Sequence, residues 1–127
     1  MMERKIVATE RAPRAVGPYS QAVIAGGFVF TAGMLALDPQ TGDVVGEDIG
    51  AQTRQALSNV QGILEAAGSS LDRVVKTTVF LRDIRDFPQM NAVYAEFFPS
   101  DPPARSTVEV GPLPKGALVE IDAIALR

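Results

Sequence analysis

The order of apolar patterns along this chain predicts an α+β protein, a sheet of about six strands with two helices on one of its faces. Three observations carry that expectation. Arg73–Leu81 (RVVKTTVFL) and Leu118–Leu126 (LVEIDAIAL) are rich in β-branched and aliphatic residues, as buried strands are. Asp48–Ala67 repeats its apolar residues at helical spacing. Gly26-Gly27 separates two short apolar runs, the signature of a hairpin.

Taken in order, Lys5–Thr9 reads as a first strand. The segment Arg11–Pro18 is irregular, because Pro13 and Pro18 donate no backbone hydrogen bond and Gly17 favours a bend. Tyr19–Ala25 and Phe28–Ala32 form the hairpin, and Met34–Leu37 continues the sheet up to the turn cluster Asp38–Asp43. In the first helix Ile49, Ala56, Leu57, Val60, Ile63, Leu64 and Ala67 mark the buried stripe. Gln52, Arg54, Gln55, Gln61 and Glu65 are assigned mostly to the other face. Asp48 is its expected N-cap and Gly68 its C′ residue. Arg73–Leu81 follows as a strand, then a second helix over Asp86–Phe98. Asp86 is its expected cap, Pro88 lies in its first turn, and Phe87, Met90, Val93, Tyr94 and Phe97 form its stripe. Two final strands, Arg105–Val110 and Leu118–Leu126, flank the turn-rich Gly111–Gly116. No repeat or linker interrupts the pattern, so residues 1–127 are expected to form one domain.

Two helices cover one face of such a sheet. The strand residues left for the other face are Thr, Val, Leu and Ala rather than Lys and Glu, which argues for an oligomer.

Composition narrows the chemistry. The 127 residues include no Cys and no His, which excludes disulfides, thiolate nucleophiles, Ser-His-Asp triads and imidazole metal sites. Acid–base work falls to Asp, Glu, Lys, Tyr, water or the backbone. A net charge of −3 argues against phosphate-backbone binding as the main task. The start MMERKIVATE lacks the apolar core of a signal peptide. The uncharged stretch Ala15–Leu37 is long enough to cross a bilayer, but its Gly and Pro residues divide it into short strands. A soluble, cytoplasmic protein without a membrane or nucleic-acid partner is expected.

Several side chains are candidates for chemistry. Arg105 follows Pro102-Pro103-Ala104 and opens a strand, a setting for forking onto a carboxylate or for a surface ion pair. Strand alternation puts Glu120 and Asp122 with Leu118 and Ile124 on one face, either a half-buried general-base environment or an exposed polar one. If the last two strands form a hairpin, Glu120 falls opposite Ser106–Val108, near Arg105. Tyr19 after Gly17-Pro18 is either held over a cleft or the core aromatic of a strand, and Asn91 is either a pocket residue or a solvated one. Gly33 permits close approach of a ligand or marks a bulge. Lys76 is either a Schiff-base lysine or an edge lysine. Asp38, Asp43, Glu47 and Asp48 cluster but lack the spacing of a calcium loop, so no metal is assigned.

The runs AVGPYSQAV (15–23), TAG (31–33), AQTRQALSNVQGILEAAG (51–68), VVKTTVFLRD (74–83), MNAVYAEFF (90–98), PPARSTVEV (102–110) and LPKGALVEIDAIA (113–125) together resemble the RidA/YjgF reactive-intermediate deaminase family. The resemblance spans nearly the whole chain, in order. It implies a chorismate-mutase-like α+β fold with a mixed sheet, assembled as a homotrimer with sites between subunits. It also implies hydrolysis of 2-imino acids such as 2-iminobutanoate and 2-iminopropanoate to 2-keto acids and ammonia, with no cofactor, no metal and no obligate protein partner. Arg105 matches the family's carboxylate-binding arginine and Glu120 its water-activating glutamate. Tyr19, Gly33, Asn91 and Thr107 match substrate-binding positions. The chain departs from the family at Ala32, where Ser is frequent, at Met34, where Gln is common, and at Thr107, which replaces Cys; these changes bear on substrate preference. The alternatives are a non-catalytic or regulatory trimer that binds a small carboxylate, and an endoribonuclease or translation inhibitor.

Overall fold

A computed structural model describes residues 3–127. Its strands are β1 (Arg4–Val7), β2 (Ala22–Ala25), β3 (Phe28–Thr31), β4 (Met34–Leu35), β5 (Val74–Leu81), β6 (Ala104–Glu109) and β7 (Val119–Leu126), with helices α1 (Ile49–Ala66) and α2 (Phe87–Phe97). The expected elements are therefore present, most of them shortened by one to three residues at an end. The expected strand Tyr19–Ala25 begins only at Ala22, because Tyr19 lies in a bend closed by its own N–H donating to Gly17 O at 2.8 Å.

The two helices pack on a mixed, mostly antiparallel sheet in the order β1-β2-β3-β7-β5-β6, with β4 also pairing to β7. Gly26 and Gly27, with φ of 58° and 82°, make the tight turn that sets Ala25 against Phe28. On β7 the burial alternates along the strand, Val119, Ile121, Ala123 and Ala125 facing the helices, as their period of two requires. Leu57, Val60, Ile63 and Leu64 of α1 meet them, and all of these side chains are fully buried.

Strand order departs from the simplest reading of the sequence. β6 and β7 do not form a hairpin. β5 lies between them, parallel to β6 and antiparallel to β7. The connection from β5 to β6 runs through α2, and a strand–helix–strand crossover is what makes neighbouring strands parallel. Lys76 is consequently on an interior strand and not at an edge; its Nζ donates to Ser106 Oγ at 3.0 Å and to Thr77 O at 3.1 Å.

Helix termini show where local chemistry decides. Asp48 Oδ1 accepts from Ala51 N at 2.8 Å and caps α1, and Gly68 follows its end at φ 83°. Asp86 makes no side-chain cap for α2; it closes the short 3-10 turn Ile84–Asp86, which leads straight into the helix. Asp83 caps that turn through Arg85 N instead. Gln52, assigned to the solvent side of α1, is only 3% exposed. Its Nε2 donates to Gly46 O and its Oε1 accepts from Leu118 N, so both ends of the amide are engaged. Among the described residues no helix is long and apolar enough to cross a membrane.

Candidate functional site

The predicted site residues fall into two groups on opposite faces of the sheet. The first group lies where α2 covers β6. Phe87, Asn91 and Tyr94 are spaced i, i+4, i+7 and so share one stripe of α2. On β6, Arg105 pairs with Thr77 and Thr107 with Val79, both helix-facing positions of β5. The Arg105 guanidinium carbon lies 4.7 Å from the Tyr94 ring centroid and 5.4 Å from that of Phe87. Beside it, Asn91 Oδ1 and Thr107 Oγ1 are buried without a partner among the described residues. Asn91 is therefore not a solvated surface amide. The ion pairs among the described residues are Arg11–Glu65, Arg54–Glu96 and Arg85–Asp83, so the surface-pair reading of Arg105 finds no acid beside it.

The second group surrounds Glu120 on the face the helices leave open. β3 and β4 both pair with β7, but β3 and β4 together carry one extra residue between the register Phe30↔Ile124 and the register Met34↔Ile121. That is a bulge, and Gly33 sits in it. Thr31 stabilises the irregular backbone, its Oγ1 accepting from Ala123 N at 3.0 Å and donating to Ala32 O at 2.9 Å. Glu120 pairs with Leu35 on one side and Phe80 on the other, with Asp122 two positions along the same face. Its carboxyl lies against Gly33, where a Cβ would meet Glu120 Cδ at 2.7 Å. The bulge reading of Gly33 thus holds, and the group that lies against it is the Glu120 carboxyl.

An open cleft of 1120 Å³ runs past Glu120, lined among others by Tyr19, Ala32, Gly33 and Lys115. Tyr19 stands at its rim, half exposed, not in the core. Burial raises the Glu120 carboxyl above its ordinary value, and the negative charge of Asp122 raises it further. Asp122 is also raised by burial, against hydrogen bonds from Thr78 and the nearby Lys76 cation. A carboxylate of this kind holds a proton more readily than a free glutamate and is a stronger base in proton transfer.

Arg105 and Glu120 do not converge within one chain. The row through Arg105 and Thr77 meets β7 at Ala123, three residues from Glu120 or about 10 Å along the strand, and the two side chains leave the sheet in opposite directions. The expected proximity of the two required a β6–β7 hairpin, and the interposed β5 removes it. The acidic cluster is likewise used locally. Asp38 Oδ1 accepts from Gln40 N and Thr41 N to shape its turn, and Asp48 caps α1.

Sequence reasoning passed over the polar residues that hold the site's backbone. Asn59 donates to Leu35 O and Leu37 O at 3.0 and 2.9 Å, fixing the strand beside Glu120. Gln21 bonds Thr9 N and the carbonyls of Thr9, Ala12 and Pro13, pinning the irregular segment that leads to Tyr19. For Asn59 and Gln52 a signal existed, since both fall in phase with Ile49, Ala56 and Ile63 in the apolar stripe of α1.

Residues 9–127 match the family model described as Endoribonuclease L-PSP. The chain belongs to this family, that of the RidA/YjgF proteins. It is 54% identical over 124 residues to RutC family protein PH0854 of Pyrococcus horikoshii, covering 98% of both chains. It is 52% identical over 126 residues to the 2-iminobutanoate/2-iminopropanoate deaminase of Salmonella typhimurium, with 97% of this chain and 98% of the relative covered. The RidA/YjgF fold is evident in E. coli TdcF, solved with bound serine, at a TM-score of 0.92, 46% identity, and coverage of 97% and 98%.

Proposed function

We propose that this chain is a 2-imino-acid deaminase whose sites form between copies of itself in a homotrimer. The observation that carries the reading is a cation without an acidic partner among the described residues, Arg105, and a half-buried carboxyl of raised proton affinity, Glu120, on opposite faces of one sheet. Each face supplies half of a site, and a neighbouring copy supplies the other half. The open face is suited to that contact, because Phe28, Phe30, Val75, Val108 and Leu126 are 38–42% exposed there. Close relatives named as imine deaminases support the chemistry.

Arg105 of one copy forks onto the substrate carboxylate and fixes the plane of the imine. Glu120 of the next copy takes a proton from water as the water oxygen bonds to the imine carbon. The C=N pair moves to nitrogen, giving a carbinolamine. Glu120 returns that proton to the nitrogen, then takes the carbinolamine's hydroxyl proton and passes it to the nitrogen as well, so that the C=O bond forms while the C–N bond breaks and ammonia leaves. One water is consumed, and a 2-keto acid and ammonia are released, with no electron transfer to balance. Tyr19, Gly33, Asn91 and Thr107 border the pocket. The imine carbon is already electrophilic, so the residues present suffice without a cofactor.

A second reading is a regulatory or binding module for small carboxylates, favoured by the serine bound in the related TdcF structure. It needs Arg105 but not Glu120. A nuclease reading, which the family description carries, would have to operate without His and on a net charge of −3.

The deciding experiment couples a threonine or serine dehydratase to this protein with semicarbazide competing for the imine. Faster keto-acid release with less semicarbazone supports the deaminase. No effect on either imine from the folded assembly overturns it, and unchanged carboxylate affinity of Glu120→Gln would then favour the binding module.

A further inference from the structure

We infer that Phe87 and Tyr94 are positioning residues that hold the Arg105 guanidinium in a fixed plane, and that the Thr77 hydroxyl locks Tyr94 in turn. The inference rests on the reading of Arg105 as the carboxylate anchor and adds the groups that make it selective. Arg105 lies against two aromatic rings of α2, at 4.7 and 5.4 Å, and against no acid among the described residues. An acid in that place would compete with a substrate carboxylate for the same N–H groups. Two rings attract the cation through their π faces and leave its N–H groups free of any competing carboxylate among the described residues.

The rings are themselves fixed. Tyr94 is 5% exposed and its hydroxyl lies 2.7 Å from Thr77 Oγ1, a residue 1% exposed. Thr77 is the β5 residue in register with Arg105 on β6. The strand pair that sets the Arg105 backbone therefore also sets the ring against its side chain, closing a triangle of Thr77, Tyr94 and Arg105. A long, flexible side chain is thereby ordered before the ligand arrives, which removes an entropic cost from binding. Lysine at 105 could neither stack flat nor fork.

The test is titration of the intact protein with 2-oxobutanoate, the keto acid expected from 2-iminobutanoate, in a double-mutant cycle. Tyr94→Leu and Phe87→Leu are each made with Arg105 present and with Arg105→Ala. Tyr94→Leu should weaken binding about tenfold when Arg105 is present and not at all when it is absent. Tyr94→Phe, which keeps the ring, should stay within about threefold of the parent. In turnover the loss should appear in KM with kcat little changed. Equal losses in both backgrounds, or none in either, would overturn the inference while leaving the anchor in place. Should Tyr94→Leu fail to fold, Phe87→Leu at the half-buried helix start completes the cycle. If Arg105→Ala binds the keto acid as well as the parent does, the anchor itself is wrong, a result distinct from failure of the ring contacts.

Discussion

Gly33 and Glu120 occupy the same space that a larger pair of residues would contest. A Cβ at residue 33 would sit 2.7 Å from Glu120 Cδ and 2.9 Å from Cγ. The absence of a side chain in the bulge is what lets the carboxyl lie over the β3–β4 junction at the edge of the cleft. Gly33→Ala is therefore expected to displace Glu120 and reduce imine hydrolysis at least tenfold. The fold should persist, because the Glu120 side chain has open cleft to move into. Far-UV circular dichroism and the coupled assay on the same preparation check both halves.

Glu120→Gln should separate stability from activity. Burial and Asp122 raise the Glu120 carboxyl, so the folded protein binds its proton more tightly than the unfolded chain does. A raised carboxyl contributes stability that is complete below its ordinary value of 4.5 and is lost as pH rises through the folded value. The neutral amide escapes that loss. Glu120→Gln should melt higher than the parent at pH 7, and the difference should vanish as the pH falls below about 4. Turnover should drop by about 10²–10⁴, the usual contribution of a positioned proton-transfer group. For the parent, the acidic limb of the kcat/KM profile should lie above the ordinary glutamate range.

Two inactive proteins should rescue one another. Arg105→Ala is expected to lose on the order of 100-fold in turnover by removing a two-pronged charged contact. If Arg105 and Glu120 of one site come from different copies, co-refolding equal amounts of Arg105→Ala and Glu120→Gln restores sites with both groups intact. Random assembly places them together in about a quarter of sites. Recovery to about a quarter of parental activity supports the shared site; no recovery from mixed assemblies verified by native mass spectrometry counts against it.

Asn59→Ala should be costly despite lying away from the reacting atoms. Asn59 is 1% exposed and donates to two carbonyls, of Leu35 and Leu37. Its removal leaves both without that donor and should destabilise the protein by about 2–3 kcal/mol. Amide exchange should rise first around β4, the segment it holds, and denaturant unfolding gives the total.

Much of this molecule is written locally. The stripe Ile49, Ala56, Leu57, Val60, Ile63, Leu64 announces α1 because a helical period leaves one apolar face to bury. Asp48 and Gly68 mark its ends through hydrogen bonding and a positive φ that need only neighbouring residues. Alternation in VEIDAIAL separates Glu120 and Asp122 from the core face before any partner strand is known. The family, too, is legible in motifs such as PPARSTVEV and LPKGALVEIDAIA.

What tertiary structure alone decided is which strands are neighbours. Period two tells which side chains share a face of one strand, but it carries no label for the strand alongside. The helical crossover from β5 to β6 makes those strands parallel, and β7 enters between β3 and β5. That order points Arg105 toward α2 and Glu120 toward the open face. It also buries Gln21, Gln52 and Asn59, whose amides find partners in segments far along the chain. The sequence names the chemical groups through local periodicity; long-range strand pairing and burial determine which of them can meet.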